Sequence, residues 1–155
     1  MFEAYLFDWG DTLMVDFPNM PGKMCDWPEV EAIDGALEAL NYLSQRSRVY
    51  VATGAAESTE AEIEQAFTRV ELNRFISGYF CKANLGVAKG STEFLPLIVQ
   101  QLGLPHERIA MVGDSLIKDI LPAAAAGIRP IWLTQSPEGE PSGTKIIGHL
   151  AELCS

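Results

Sequence analysis

The chain has 155 residues, 48% hydrophobic and 21% charged, which suits one globular domain with its own core and excludes a disordered segment. Its 11 Lys and Arg against 21 Asp and Glu give a formal charge of −10, and no basic stripe is visible, so no nucleic-acid partner is expected. No apolar stretch reaches membrane-span length, the first apolar run leaves no room for a cleaved leader, and three scattered cysteines make neither a disulfide framework nor a zinc cage. A cytoplasmic protein with no membrane partner is the expectation.

In chain order, residues 4–7 form an unbroken apolar run ending at Asp8, followed by the tight polar turn Trp9-Gly10-Asp11-Thr12. Residues 14–32 hold Pro18, Pro21, Gly22, Trp27 and Pro28 without a period and are expected to arch over the strand end as a flap, with Met24 and Trp27 as specificity elements. Residues 34–45 place Leu37, Leu40 and Leu43 at helical spacing. A second apolar run at 49–52 ends in Thr53-Gly54, and 57–70 reads as a helix with Ile63, Ala66, Phe67 and Val70 on one face.

A weaker strand is expected at 79–81. Helix 92–102 follows, stopped by Gly103 and holding Pro96 in its first turn or at a kink. The run 109–112 ends in Gly113-Asp114-Ser115, and the last helix is expected from Lys118 or Asp119 to Gly127, with Pro122 early in it. Strands at 131–133 and 145–147 close the chain, the solvated loop 136–143 between them. Strand then helix, repeated, with strands apolar on both faces, predicts an α/β fold: a doubly wound, Rossmann-like parallel sheet without a cap domain.

Three buried strands thus end in groups able to hold a metal, a phosphate or a proton, at the sheet edge where open α/β folds place ligands. Asp8 alone would read as a turn cap; in company with Thr12, Thr53 and the Asp114 segment it reads as a nucleophile, since a carboxylate can attack phosphorus to form an acyl phosphate. Asp114, with Asp8 and the Gly10 carbonyl, offers the oxygen donors that Mg2+ takes, and an acidic protein handling phosphate needs such local neutralisation. Asp119, one turn on, would hold a metal-bound water or orient a lysine. Thr53 and Gly54, ahead of a helix expected to start near Glu57, make an anion seat. Lys89 or Lys82 would neutralise the transferring phosphoryl group, and Lys89 is favoured because it precedes the turn Gly90-Ser91-Thr92.

Asp8 to Thr12, Thr53, Lys89, and Gly113-Asp114-Ser115 with Asp119 together resemble, in order, the four motifs of the haloacid dehalogenase-like hydrolase superfamily, over roughly residues 4–153. The resemblance implies a magnesium-dependent phosphatase in which Asp8 forms an aspartyl-phosphate, Thr53 and Lys89 grip the phosphoryl group, and Asp114 binds the metal. It also implies a small phosphorylated substrate or a phosphorylated macromolecule, with cover borrowed from a second copy if the chain forms a homo-oligomer. One departure is sharp. The usual first motif, D-x-D-G-T, carries the general acid and base at its second Asp, whereas here Gly10 and Asp11 exchange places. Glycine at position 10 is expected to let the turn distort and re-aim Asp11. The competing readings are a phospho-ligand or protein-binding module that lost the acid, and a haloacid dehalogenase attacking carbon through Asp8.

Overall fold

The computed structural model describes residues 2–154. Six parallel strands form one sheet: β1 (Ala4–Phe7), β2 (Arg48–Ala52), β3 (Gly78–Phe80), β4 (Ile109–Gly113), β5 (Arg129–Leu133) and β6 (Lys145–Ile147). Their order is β3-β2-β1-β4-β5-β6, a doubly wound sheet as the alternation predicts. The winding direction reverses between β1 and β4. At such a switch point the crossovers leave opposite ways and a crevice opens beyond the strand ends.

Register carries the chemistry to that crevice. Phe7 pairs with both Val51 and Val112, so Asp8, Ala52 and Gly113 come level at the carboxyl edge. The amide of Asp8 still joins the ladder, donating to the Val112 carbonyl at 2.9 Å, which fixes the backbone from which its carboxylate projects.

The two faces of the sheet bury separate cores. Tyr5 and Phe7 pack with α1 (Ala36–Ser44) and α2 (Glu60–Thr68), while Ala4 and Leu6 pack with α4 (Phe94–Leu102) and α5 (Leu121–Ala125). A short α3 (Lys82–Leu85), absent from the expected elements, follows β3; Asn84 Oδ1 accepts from the Cys81 amide and caps it.

Several expected boundaries shift for physical reasons. On α1 the buried stripe is Ala36, Ala39, Leu40 and Leu43, and Leu37 is 48% exposed, because its direction lies about a quarter turn from that stripe. Helix α2 starts at Glu60, three residues later than expected, because Thr59 and Glu62 form a capping box. Pro96 lies in the first turn of α4, where its missing N–H costs nothing. The last helix does not run on from Lys118. A wide π-type turn spans Leu116–Ile120, with the Ile120 amide donating to the Ser115 carbonyl, and α5 begins only at Leu121. Pro122 has no N–H to give, and its ring would press on the carbonyl of residue 118 in a regular helix.

Residues 14–32 lie beside the crevice and are pinned at both ends: the Val15 amide donates to the Glu31 carbonyl and the Ile33 amide to the Leu13 carbonyl, each at 2.8 Å. A 3-10 turn at Met24–Asp26 packs on α2. No helix among the described residues is long and apolar enough to cross a membrane.

Candidate active site

An open cleft of about 1130 Å³ lies over the carboxyl ends of β1, β2 and β4, bordered by residues 14–32 on one side and the turn after β4 on the other. At its floor Asp8 Oδ1 accepts from Lys89 Nζ at 2.7 Å, and Oδ2 lies 3.3 Å from the Thr12 hydroxyl. Thr12 is fully buried and also lies 3.2 Å from Asp114 Oδ1. Its single hydrogen serves one carboxylate at a time, so the two acids are held together with more acceptors than donors.

Lys89 is the lysine at the site. Its ammonium is 2.6 Å from Asp119 Oδ1 as well as bound to Asp8, and its side chain is only 8% exposed. The Asp119 contact is poorly aligned for a hydrogen bond and is held by charge. Burial alone would lower the pKa of Lys89, but Asp8 and Asp119 outweigh it and hold the ammonium above its ordinary range, so it stays a cation. Lys82 is exposed at the start of α3, outside the cleft lining.

Asp119 is completely buried, and its Oδ2 accepts from the Ser115 amide at 3.1 Å. Gly113 makes this possible. A Cβ there would stand 2.3 Å from Asp119 Cγ, so only glycine lets the carboxylate tuck beneath the end of β4. Asp114 is half-buried, and its backbone carbonyl accepts from Trp132 Nε1 at 3.0 Å. Burial, then the contact with Asp8 and the charges of Asp8 and Asp119, push its carboxyl from 3.8 up to about 7. Burial raises Asp119 too, against the opposing pull of Lys89.

Thr53 is buried, and its hydroxyl accepts from the Ala55 amide at 3.1 Å. Residues 54–58 continue the cleft wall. The expected seat is therefore a turn that precedes α2 by several residues, and the helix N-terminus forms no part of it. A Cβ added at Gly54 would meet Lys89 only at ordinary contact distances, 3.6 Å and more. Gly10 has an ordinary φ; Asp11 takes the left-handed backbone, with φ 59°. The distortion expected at Gly10 is thus at Asp11, whose Oδ1 accepts from the Asp16 amide at 3.0 Å. No hydrogen bond among the described residues engages the Gly10 carbonyl.

Met24 and Trp27 border the cleft, but each is only 7% exposed and belongs to the core, so they wall the cleft more than they project into it. Asp16, Lys23 and Arg69 carry no signal of a site role in the sequence. Lys23 pairs with Glu62 of α2 at 2.7 Å, and Arg69 donates to the Trp27 carbonyl, so both tie the flap down. Lys23 and Asp16 lie in a segment without a period, and the folded chain alone shows their partners.

Carboxylate oxygens of Asp8, Asp114 and Asp119 lie within 4.8 Å of one another, and one ammonium pairs with two of these three acids, Asp8 and Asp119. An all-oxygen donor set with excess negative charge fits a hard divalent cation such as Mg2+, with Asp8 and Asp114 as its carboxylates; both oxygens of Asp119 are already engaged.

A family model for haloacid dehalogenase-like hydrolases matches residues 22–127. The chain belongs to the haloacid dehalogenase-like hydrolases. That match contains Thr53, Lys89, Asp114 and Asp119, while Asp8 to Thr12 lie ahead of it. The hydrolase is similar to the pyrimidine 5'-nucleotidase YjjG of Escherichia coli K12, 24% identical over 143 residues, which are 87% of this chain and 60% of that protein. It thus spans about 60% of the length of that curated relative. Its fold is that of a protein from Listeria monocytogenes serotype 4b (TM-score 0.83, 20% identity, 96% of this chain and 93% of that one). It is also that of the HAD-hydrolase YfnB of Bacillus subtilis, solved bound to magnesium (TM-score 0.78, 17% identity, 98% and 96%). The 2-haloacid dehalogenase of Pseudomonas syringae pv. tomato DC3000 shares it as well (TM-score 0.77, 14% identity, 99% and 96%).

Proposed function

We propose that this hydrolase is a magnesium-dependent phosphohydrolase whose Asp8 attacks phosphorus to form an aspartyl-phosphate. One observation carries the reading: Asp8, fixed by β1, lies in a carboxylate cluster with Asp114 and Asp119, and the buried ammonium of Lys89 pairs with Asp8 and Asp119, at the sheet's switch point. Attack on carbon by a dehalogenase needs no metal, whereas carboxylates able to hold a divalent cation suit phosphoryl transfer.

In this reading Lys89 binds Asp8 and then offers its charge to the phosphoryl oxygens, which carry the transition-state charge. Asp119 holds Lys89 at the angle that reaches both. Thr53 and the amides of the turn after it bind the remaining oxygens, and Thr12 keeps Asp8 and Asp114 in register. Magnesium, held by Asp8, Asp114 and the free Gly10 carbonyl, would neutralise phosphoryl charge and orient the group for in-line attack.

The substrate is proposed to be a small phosphate monoester or a phosphorylated macromolecule, since the cleft is open enough for either. The likeness to a pyrimidine 5'-nucleotidase puts nucleoside monophosphates first in a screen. A binding module that has lost catalysis remains the rival reading because residue 10 is glycine. Incubation with aryl and acyl phosphates and magnesium separates the two. The expected result is hydrolysis by the wild type, a mass increase of one phosphoryl group on rapid quenching, and loss of both in Asp8→Asn with the fold intact. Ligand retention without turnover would favour the binding module.

A further inference from the structure

Phosphate esters of ordinary alcohols leave badly as alkoxides, so their cleavage needs a proton delivered to the departing oxygen. Residue 10, two positions beyond Asp8, has no side chain to deliver it. Another carboxylate stands in that space. A Cβ built on Gly10 would lie 3.3 Å from Asp16 Cβ, 3.4 Å from Asp16 Oδ2 and 3.5 Å from its Cγ. Asp16 borders the cleft together with Asp8, Gly10 and Asp11.

Its backbone is held from several directions. The Asp16 amide donates to Asp11 Oδ1, and the preceding Val15 is bonded to Glu31. Met14 bridges Gly10 on one side and Ala32 on the other. The carboxylate itself is free: no hydrogen bond or ion pair among the described residues uses it. Of the charged groups nearby in the cleft, Asp11 accepts from the Asp16 amide through Oδ1, Lys23 pairs with Glu62, and Lys89 pairs with Asp8 and Asp119.

We propose that Asp16, reaching back over Gly10 from the flap, is the general acid and base of the reaction, with Asp11 as the residue that positions it. The inference rests on the phosphohydrolase reading and adds to it the proton donor that the first motif lacks. In the first step Asp8 forms a bond to phosphorus, the bond from phosphorus to the ester oxygen breaks, and the Asp16 carboxyl gives its proton to that oxygen, releasing the alcohol. In the second, the Asp16 carboxylate takes a proton from a water whose oxygen bonds to phosphorus. The Asp8–phosphorus bond breaks, and Asp8 returns as a carboxylate. Because the acid then sits on the flap, the anchors of the flap on α2 set its reach.

The test compares the wild type, Asp16→Asn, Asp16→Ala, and Gly10→Asp combined with Asp16→Ala, all with magnesium. Rapid-quench measurements follow first-turnover release of leaving groups from 4-nitrophenyl phosphate to alkyl phosphates, and intact mass follows the phosphoenzyme. In both Asp16 variants, alkyl release should fall about 10²–10⁴-fold, the usual worth of a positioned acid. First-turnover release of 4-nitrophenol, which departs unaided, should change little. Phosphoenzyme should then accumulate, because water is no longer activated, and the carboxyl moved to residue 10 should restore alkyl release. Equal losses for all leaving groups, or no loss, would overturn the role of Asp16 while leaving an active phosphohydrolase. A folded wild type that neither hydrolyses any ester nor forms a phosphoenzyme would instead overturn the phosphohydrolase reading, and this one with it.

Discussion

At the scale of single residues, Gly113 is the tightest point of the site. A methyl group there would overlap Asp119 Cβ, Cγ and Oδ2, all within 2.4 Å, and Asp119 is buried with nowhere to retreat. Gly113→Ala should therefore cost about 1–3 kcal/mol, the usual penalty of overpacking. It should also cost more activity than stability, because the displaced carboxylate releases Lys89 from one of its two partners. Thermal melts and turnover of the same preparations check this, and full activity would show that Asp119 does not position Lys89. Asp8, Thr53 and Asp114 were legible in the sequence because each follows an unbroken apolar run, and a parallel strand delivers whatever follows it to one edge. Lys89 was preferred over Lys82 for the turn that follows it, and it is the lysine beside Asp8. Asp16 is not legible: it meets Gly10 across a loop with no repeating pattern.

At the scale of elements, α2 is the post to which the flap is tied. Glu62 closes the capping box with Thr59 and also binds Lys23, so one side chain fixes the start of the helix and the edge of the flap. At the other end Arg69 reaches the carbonyls of Trp27 and Cys25. Arg69→Ala should cost about 1.5–3 kcal/mol, as expected for hydrogen bonds from a charged donor. Amide hydrogen exchange should quicken at residues 23–28 before it does in the sheet. Unchanged protection there would show that the core packing of Met24 and Trp27 holds the flap by itself. The strands were legible nearly residue by residue, since buried parallel strands are short apolar blocks. Helix starts were less so. The Thr59-to-Glu62 capping box is present in the sequence, but the apolar period of this segment also accommodates an earlier start at Glu57. The π-type turn before Pro122 depends on where Asp119 must be tucked, and that is set by Gly113 on a neighbouring segment.

At the scale of the whole molecule, the electrostatics of the site tie global stability to pH and to the cation. Folding brings three carboxylates within 4.8 Å of one another, with one ammonium paired to two of them, in a chain that already carries a formal charge of −10. The folded protein therefore holds a proton on Asp114 up to about pH 7, whereas the carboxyl ordinarily releases it near 3.8. Between those values the folded state binds more protons than the unfolded one, so stability must fall as pH rises; below the lower value the contribution is fully present. The raised Asp119 acts in the same direction. Asp114 is half-buried, and solvent screening tempers the size of the effect without changing its sign. On the proposed reading a divalent cation would reverse the balance: taking the place of the proton, it should bind with an affinity that climbs through about pH 7, and by binding only the folded state it should raise the melting temperature. With a chelator present, the melting temperature should drop between about pH 5 and pH 8. Added magnesium should recover most of that loss at the higher pH and little at the lower. Asp114→Asn removes the carboxyl raised to about 7 and leaves only the contribution of Asp119, so it should make the chelated profile shallower and abolish the magnesium-dependent rise together. A magnesium shift of equal size at both pH values would mean that the cation is held by something other than this cluster of acids.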